Sequence, residues 1–494
     1  MARARRVEVL LDDAPDEAAP SSPSDPPPTD RPTAPPAGRR RWWWAAVPVT
    51  VVLALVVGQV VTDRRESAEL AALAAVPGVA ATLDRTVAVA WDVDPGTRLD
   101  GAARVGSMLV AAHVTADHAV TLEGRDVATG ARAWVLDLVD ARPAWSPDAQ
   151  ADPAPCVALP ARPGQVTCLV GDGGTDLDSG RWTPYPATTT RLLVLDPADG
   201  TVVVDREVPV SAQWLTPLGD DVLLVGNVGG VVHVRSQDLV DGTERWHVTA
   251  DVAADDGPFS LATAVSALVD EQTLAVDHGS AVTLVSTDGD VLRTVGAPTA
   301  AVEAGLTQST RVATSRPLAA AVVGDETGTT IASAAREVRV DGSPLPVTVD
   351  DGSVPGLVLT RMPRLQAWDA DDGEARWATT IVDAQDATIL DGRVHVGTSA
   401  AVVTFDGATG AELWRVRRPT ATGNPATDGR HLYVTASQGG RHSAPYDLVA
   451  LHPADGTEAW RVPMPVDSAL AVVEGLLLGA ESDGEGGGAY RVLR

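Results

Sequence analysis

Apolar positions in most of this chain fall in short runs that alternate or continue for a few residues, as at 192–195 and 402–405. Such runs, closed by polar turn residues, predict strands. Several runs lead into the same sequence: a turn with Gly and usually Asp, then Trp. The pattern reads RDVATGARAW at 125–134, WDADDGEARW at 368–377, FDGATGAELW at 405–414 and HPADGTEAW at 452–460. A looser form, VDGTERW, ends at Trp246, and two copies, LDPADGTVVV (195–204) and STDGDVLRT (286–294), keep the turn without the Trp.

Each copy predicts strand, tight turn, strand. Asp can bond the turn backbone, and Gly takes a positive φ at no steric cost. The outgoing strand then carries a large aromatic at a fixed register, suited to packing on a neighbouring sheet. The turn glycines are Gly130, Gly200, Gly242, Gly289, Gly373, Gly410 and Gly456, and Trp134, Trp246, Trp377, Trp414 and Trp460 each stand four residues beyond one. Most neighbouring glycines lie 37 to 47 residues apart, the period of four-stranded propeller blades, about 40–45 residues. In the 84-residue gap between Gly289 and Gly373, REVRVDGSPL (336–345) is read as a degenerate turn.

The reading is therefore all-β: a single β-propeller of four-stranded blades over 83–494. The segment LDRTVAVAWDVD (83–94) matches an outer strand, with Trp91 at the Trp position. No complete blade precedes it, and the last repeat lacks such a strand, so it is expected to complete that blade and close the ring. Nine segments are blade-like. Eight blades are expected, seven being the alternative, with one weak middle segment counted in excess.

DVATGARAW (126–134) and DGATGAELW (406–414) resemble the PQQ-binding-like (quinoprotein alcohol dehydrogenase-like) propeller repeat, a WD40-like strand pattern. The resemblance covers nearly everything from about residue 85. It implies the fold and leaves function open, since such propellers include enzymes, scaffolds and sensors. Quinone-dependent members hold calcium and the quinone in a central funnel, and many stack the quinone on a disulfide of adjacent cysteines. This chain has no adjacent cysteines and no recognisable calcium set, so no cofactor is expected.

Ahead of the propeller, 1–41 is rich in Pro, Ser and Asp and predicts a disordered tail. Residues 42–61 form an uncharged, largely apolar stretch of 20, long enough for one transmembrane helix. Arg39–Arg41 precede it and Trp42–Trp44 open it. The positive-inside rule then predicts a signal-anchor with a cytoplasmic tail, a linker over 62–82 and a propeller outside the cell membrane.

Composition sharpens this. Net charge is −28 and the basic residues are all Arg, which disfavours nucleic acid as a partner. The Lys-free, Ala- and Val-rich composition resembles that of high-GC actinobacteria. The two cysteines, Cys156 and Cys168, flank a predicted hairpin and are expected to pair outside the membrane; two free buried thiols are the alternative. The nine histidines show no zinc spacing, and no nucleophile elbow or phosphate-binding loop occurs. No catalytic, cofactor-binding or metal residues are assigned.

These signs predict a membrane-anchored, extracytoplasmic propeller with a non-catalytic binding or scaffolding role and a protein partner in the cell envelope. A PQQ-dependent oxidoreductase of alcohols or sugars is the alternative. Trp182, Tyr185 and Tyr446, aromatics in two polar insertions, are the candidate contact residues.

Overall fold

The computed structural model describes residues 68 and 70–494, apart from 143–144, 147–148, 153, 179–180, 229–230, 252–264, 269–271, 278–280, 297–319, 325–327, 418–424, 438–445, 466–469 and 483–487. The expected span over 42–61 and the tail lie outside the described residues. Among the described residues no helix is long and apolar enough to cross a membrane.

The chain forms a propeller of nine blades, built of antiparallel sheets. We number the blades along the chain and letter the strands a to d from the inner edge. Blade 1 comprises Thr97–Val105, Met108–Val114, Val120–Asp126 and Arg132–Val139. Blade 2 comprises Cys156–Ala158, Val166–Gly171, Thr190–Leu195 and Val202–Val208, and blade 3 Ala212–Leu218, Asp221–Val228, Val231–Asp238 and Glu244–Asp251. Blades 4 to 8 occupy 265–296, 321–341, 343–378, 384–417 and 426–463. Blade 9 takes Leu470–Val473, Leu476–Ser482 and Gly488–Leu493, and its strand d is Val89–Asp92 from the start of the propeller. Trp91 pairs with Val492, and Ala88 and Arg494 exchange backbone bonds. The ring is thus closed by joining the two ends of the propeller chain.

The count corrects the expectation of eight. The weak middle segment is a blade: Ala321–Gly324, Gly328–Ala332 and Glu337–Asp341 form its described strands. Its c–d turn, at 333–336, has neither Gly nor a following Trp, so the repeat does not mark it. Gly342, read as a degenerate turn of that kind, instead joins strand d of blade 5 to blade 6.

Among the described residues nine apolar clusters hold the ring, each between successive blades. Leu109, Leu478 and Val492 join blades 9 and 1; Val110, Val166 and Leu193 join 1 and 2. Blade 5 sits in this series through Leu284 with Val323, and Val322 with Val358. Burial of alternate strand faces against both neighbours explains why strands b and c run almost wholly apolar while strand d alternates.

The structure explains the Gly–Trp pair. The rings of five of the six repeat Trp residues lie over the turn glycine of the next blade: Trp91 over Gly130, Trp134 over Gly200, Trp246 over Gly289, Trp377 over Gly410, Trp414 over Gly456. Each indole donates to a carbonyl of that same turn, for example Trp377 Nε1 to Gly407 O at 2.9 Å and Trp414 Nε1 to Pro453 O at 3.0 Å. The turn is held from within by its Asp: Asp406 Oδ1 accepts from the Thr409 amide and hydroxyl at 2.8 and 2.7 Å. Two blades use other pins. In blade 2 Val204 stands at the Trp position, and Arg206, two residues on along the same face of the strand, donates to Gln237 and the Asp238 carbonyl beside Gly242. In blade 5 Val338 lies against Gly373. Trp460 packs on Tyr433, in the cluster that Val87 and Val89 also join.

Cys156 and Cys168 lie directly opposite each other on strands a and b of blade 2 and are disulfide-bonded, both buried. Closing a loop with a sequence separation of 12 restricts the unfolded chain. Replacing both by Ala is expected to lower stability by about 3 kcal/mol, and the oxidised wild type to show no reactive thiol in denaturant. Two titratable thiols before reduction would contradict the bond.

Candidate functional site

Antiparallel strands put alternate connections on opposite faces of the ring. The a–b and c–d connections share one face and are mostly short, as at 106–107, 219–220 and 391–392. The b–c and d–a connections share the other. Among the described residues that second face carries two long ones, 140–155 and 172–189. We call them the turn face and the insertion face.

The turn face is crossed by residues 70–83, which stand between the expected span and the first strand. Val79 bridges Thr427 in parallel, Ala80 and Ala81 donate to Thr427 O (2.7 Å) and Gly475 O (2.8 Å), and Leu83 N donates to the Tyr433 hydroxyl. Val76 and Val79 pack on Val349. Val349 lies in Val347–Asp350, an extra strand that leaves blade 6 and pairs in parallel with strand a of blade 7. The segment therefore touches the a–b connections of blades 6, 8 and 9.

On the insertion face, the best-formed cluster stands over blades 1 and 2. Between strands b and c of blade 2, Gly174–Asp178 and Arg181–Tyr185 form a hairpin, joined at its edge by Gln150–Ala151 from the d–a connection. Trp145 stacks on Tyr185, centroids 4.6 Å apart and planes at 11°. The Arg142 guanidinium sits 5.4 Å from the Trp145 ring and pairs with Asp172 at 2.6 Å. His118 tilts against the same indole and bonds Ser146 O through Nε2. Gly173 and Gly174 permit this approach: a Cβ on Gly173 would meet the Asp152 carboxylate at 2.3 Å, and one on Gly174 the Trp145 ring at 2.5 Å.

The carboxylates here differ. Burial opposes the charge of Asp172, but the Thr188 hydroxyl, the Thr189 and Thr188 amides and Arg142 outweigh it and hold the group below the usual carboxylate range. Asp152 lacks such donors: burial, then the charge of Asp172, pushes it up to about 6. Asp176 is buried, with one oxygen 3.4 Å from the Tyr185 hydroxyl and the other without a partner. The site is acidic, aromatic and partly sheltered. It suits binding of a group that brings positive charge or donors. No group of three or more metal-ligating side chains occurs among the described residues.

Of the candidate contact residues, Tyr185 is in this cluster, half-buried against its own blade. Trp182 lies on the hairpin's second strand, opposite Leu177. Tyr446 is a correction: it begins strand c of blade 8, is 5 % exposed and packs in the core with Leu448 and Tyr433. Its neighbours at 438–445 lie outside the described residues. Trp145, Arg142 and Asp152 escaped sequence reasoning because they stand outside both repeat and hairpin; the one signal was an aromatic inside an over-long connection.

A quinone does not fit these residues as it fits the dehydrogenases. The disulfide is buried between blades 1 and 2 and offers no surface for a ring to stack on. Five of the six repeat Trp rings are already covered by the next blade's turn glycine, and Trp460 packs on Tyr433.

Residues 319–464 and 398–489 match the family described as outer membrane protein assembly factor BamB. No curated protein matches the chain. Among solved structures, BamB from Moraxella catarrhalis is similar at 16 % identity, covering 83 % of this chain and 98 % of that one, with a TM-score of 0.40. A europium-containing methanol dehydrogenase gives 10 % identity, coverage of 85 % and 92 %, and a TM-score of 0.42. The quinohemoprotein alcohol dehydrogenase from Comamonas testosteroni gives 12 %, 83 % and 76 %, and 0.39. The family match spans 319–489, within the propeller.

Proposed function

We propose that this PQQ-like propeller is a non-catalytic binding scaffold, anchored in the cell membrane by 42–61 with its tail in the cytoplasm, and that it docks a protein of the cell envelope on its insertion face. The observation that carries this is the difference between the faces. Short turns and residues 70–83 occupy one; the long connections, with their acidic and aromatic groups, occupy the other. Loops held on a rigid ring are the usual place for recognition. The family name, an outer-membrane assembly factor, supports a scaffolding role among envelope proteins.

The test is cross-linking in intact membranes, followed by purification of the full chain. Replacing 174–185 by two glycines removes the hairpin and leaves the pairing of Thr190 with Gly171 in blade 2. We expect a partner captured by wild type to be lost from the variant at unchanged expression and thermal stability. Retention of the partner would place docking elsewhere. Tight binding of added pyrroloquinoline quinone and calcium, with dye-linked oxidation of an alcohol or sugar, would replace the scaffold reading by the oxidoreductase one.

A further inference from the structure

Beside the crossing segment the turn face holds a cleft of about 480 Å3, within the range of small-molecule sites. One wall is the segment itself, Ala74 to Ala81, whose side chains are small and apolar. The other comes from strand a of blade 1 and the a–b turn of blade 9, through Arg104, Glu474 and Gly475. Glu474 and Gly475 have φ +51° and +74°. Positive φ at both positions is type I′ geometry, which favours Asn, Asp or Gly at the first; the matching turn of blade 7 has Asp391 there. Glutamate is a poor fit to that backbone, but its longer side chain extends to blade 1, where Oε2 accepts from the Arg104 amide at 3.2 Å. Arg104 in turn donates Nη1 to the Glu474 carbonyl and Nε to the Gly106 carbonyl. The two charged groups thus bond main chain and form no ion pair with each other, although both line one cleft. Arg104 Nη2 and Glu474 Oε1 have no partner among the described residues. Gly475 keeps the space beside them open: a Cβ there would lie 3.0 Å from Arg104 Nη1 and 3.5 Å from Val79 O.

We propose that this cleft binds a short zwitterionic peptide, with its carboxylate on Arg104, its ammonium group on Glu474 and a small apolar side chain on the Ala and Val wall. Complementarity selects the class. A ligand with one charge answers only one of the two groups, and a neutral apolar ligand neither. Charge-assisted bonds to both a guanidinium and a carboxylate need an acceptor anion and a donor cation on one molecule. Because Arg104 and Glu474 do not pair, the ligand's charges stand apart as well; a peptide separates them by its amide, and a free amino acid does not. The site lies on the face opposite the proposed docking surface and does not depend on it.

The test is calorimetric titration of the full-length chain, purified in detergent, with L-alanyl-L-alanine at pH 7 and with its N-acetyl and C-amide forms. One dipeptide per chain is expected, and each blocked form should bind about tenfold more weakly or worse, the loss of one charge-assisted bond. Glu474→Asn suits the type I′ turn, so the variant should keep the melting temperature of wild type. It should abolish the preference for the free dipeptide over the N-acetyl form and keep the preference over the C-amide form. Arg104→Gln should do the reverse. A merely structural link between blades 9 and 1 would change all three affinities alike. No binding of the free dipeptide by wild type, or a preference over the N-acetyl form that survives Glu474→Asn, overturns the site.

Discussion

Trp377→Ala is expected to destabilise the propeller by about 3–5 kcal/mol, the range for truncating a buried Trp. Trp377 is 7 % exposed, fills the cluster between blades 6 and 7, and donates to Gly407 O. Its loss opens a cavity and leaves a turn carbonyl unpaired. The companion substitution, Gly410→Ala, separates the two demands on the turn glycine. Gly410 has φ +70°, which for an L-residue costs about 1–2 kcal/mol. Its Cβ would also lie 2.6 Å from the indole. Gly392 has φ +71° with nothing within 4 Å of its Cβ, so Gly392→Ala reports the backbone cost alone. Gly410→Ala should cost clearly more than Gly392→Ala in wild type and about the same in a Trp377→Ala background. Equal costs in wild type would show that the ring does not constrain the glycine. The cycle is read by urea denaturation of the full-length chain, with coupling taken as the departure from additivity.

This pin was half legible. The fixed interval from Gly to Trp announced a repeated contact, and its period announced blades. The contact itself runs from the Trp of one repeat to the Gly of the next, and spacing within a repeat does not disclose that. Where another residue serves, the marker vanishes: Arg206 and Val338 hold the next turn without an aromatic, and blade 5, with neither Gly nor Trp at its c–d turn, read only as a weak middle segment. The same limit applies to Tyr446, read as an insertion aromatic because the polar residues before it masked the first position of a buried strand. The extra strand Val347–Asp350 and the crossing segment 70–83 bond inner edges far away in sequence. Local pattern says nothing of such parallel pairs. The aromatic and acidic cluster arises likewise, from a d–a connection laid against a hairpin formed later in the chain.

Stability should also fall as pH rises from about 4 to 7, through Asp386. It lies on strand a of blade 7, opposite Gly397 at a bulge, and is 1 % exposed. Neither of its oxygens makes a well-formed hydrogen bond. Burial pushes its carboxyl from 3.8 up to about 7, and the nearby Gly397 amide offsets this only in part. The folded state then holds a proton that the unfolded chain releases above pH 4. Below pH 4 both states are protonated and the group costs nothing on this account. Between about 4 and 7 each pH unit removes about 1.4 kcal/mol, on the order of 4 kcal/mol in all. Asp152, raised to about 6, slopes the same way over a narrower window. The turn carboxylates Asp126 and Asp406, held low first by bonds from Thr129 and Thr409, act in the opposite sense at lower pH. Absolute stability therefore mixes several groups, and the informative quantity is the difference between wild type and Asp386→Asn. Asn cannot ionise, so the variant should exceed wild type by roughly 1.5 kcal/mol at pH 5 and by about 4 kcal/mol at pH 8. The comparison is made by denaturant midpoints at both values. A difference that does not grow with pH would mean that Asp386 finds a partner for its charge, through water or a shift of the bulge, and that blade 7 does not hold a buried, neutral carboxyl.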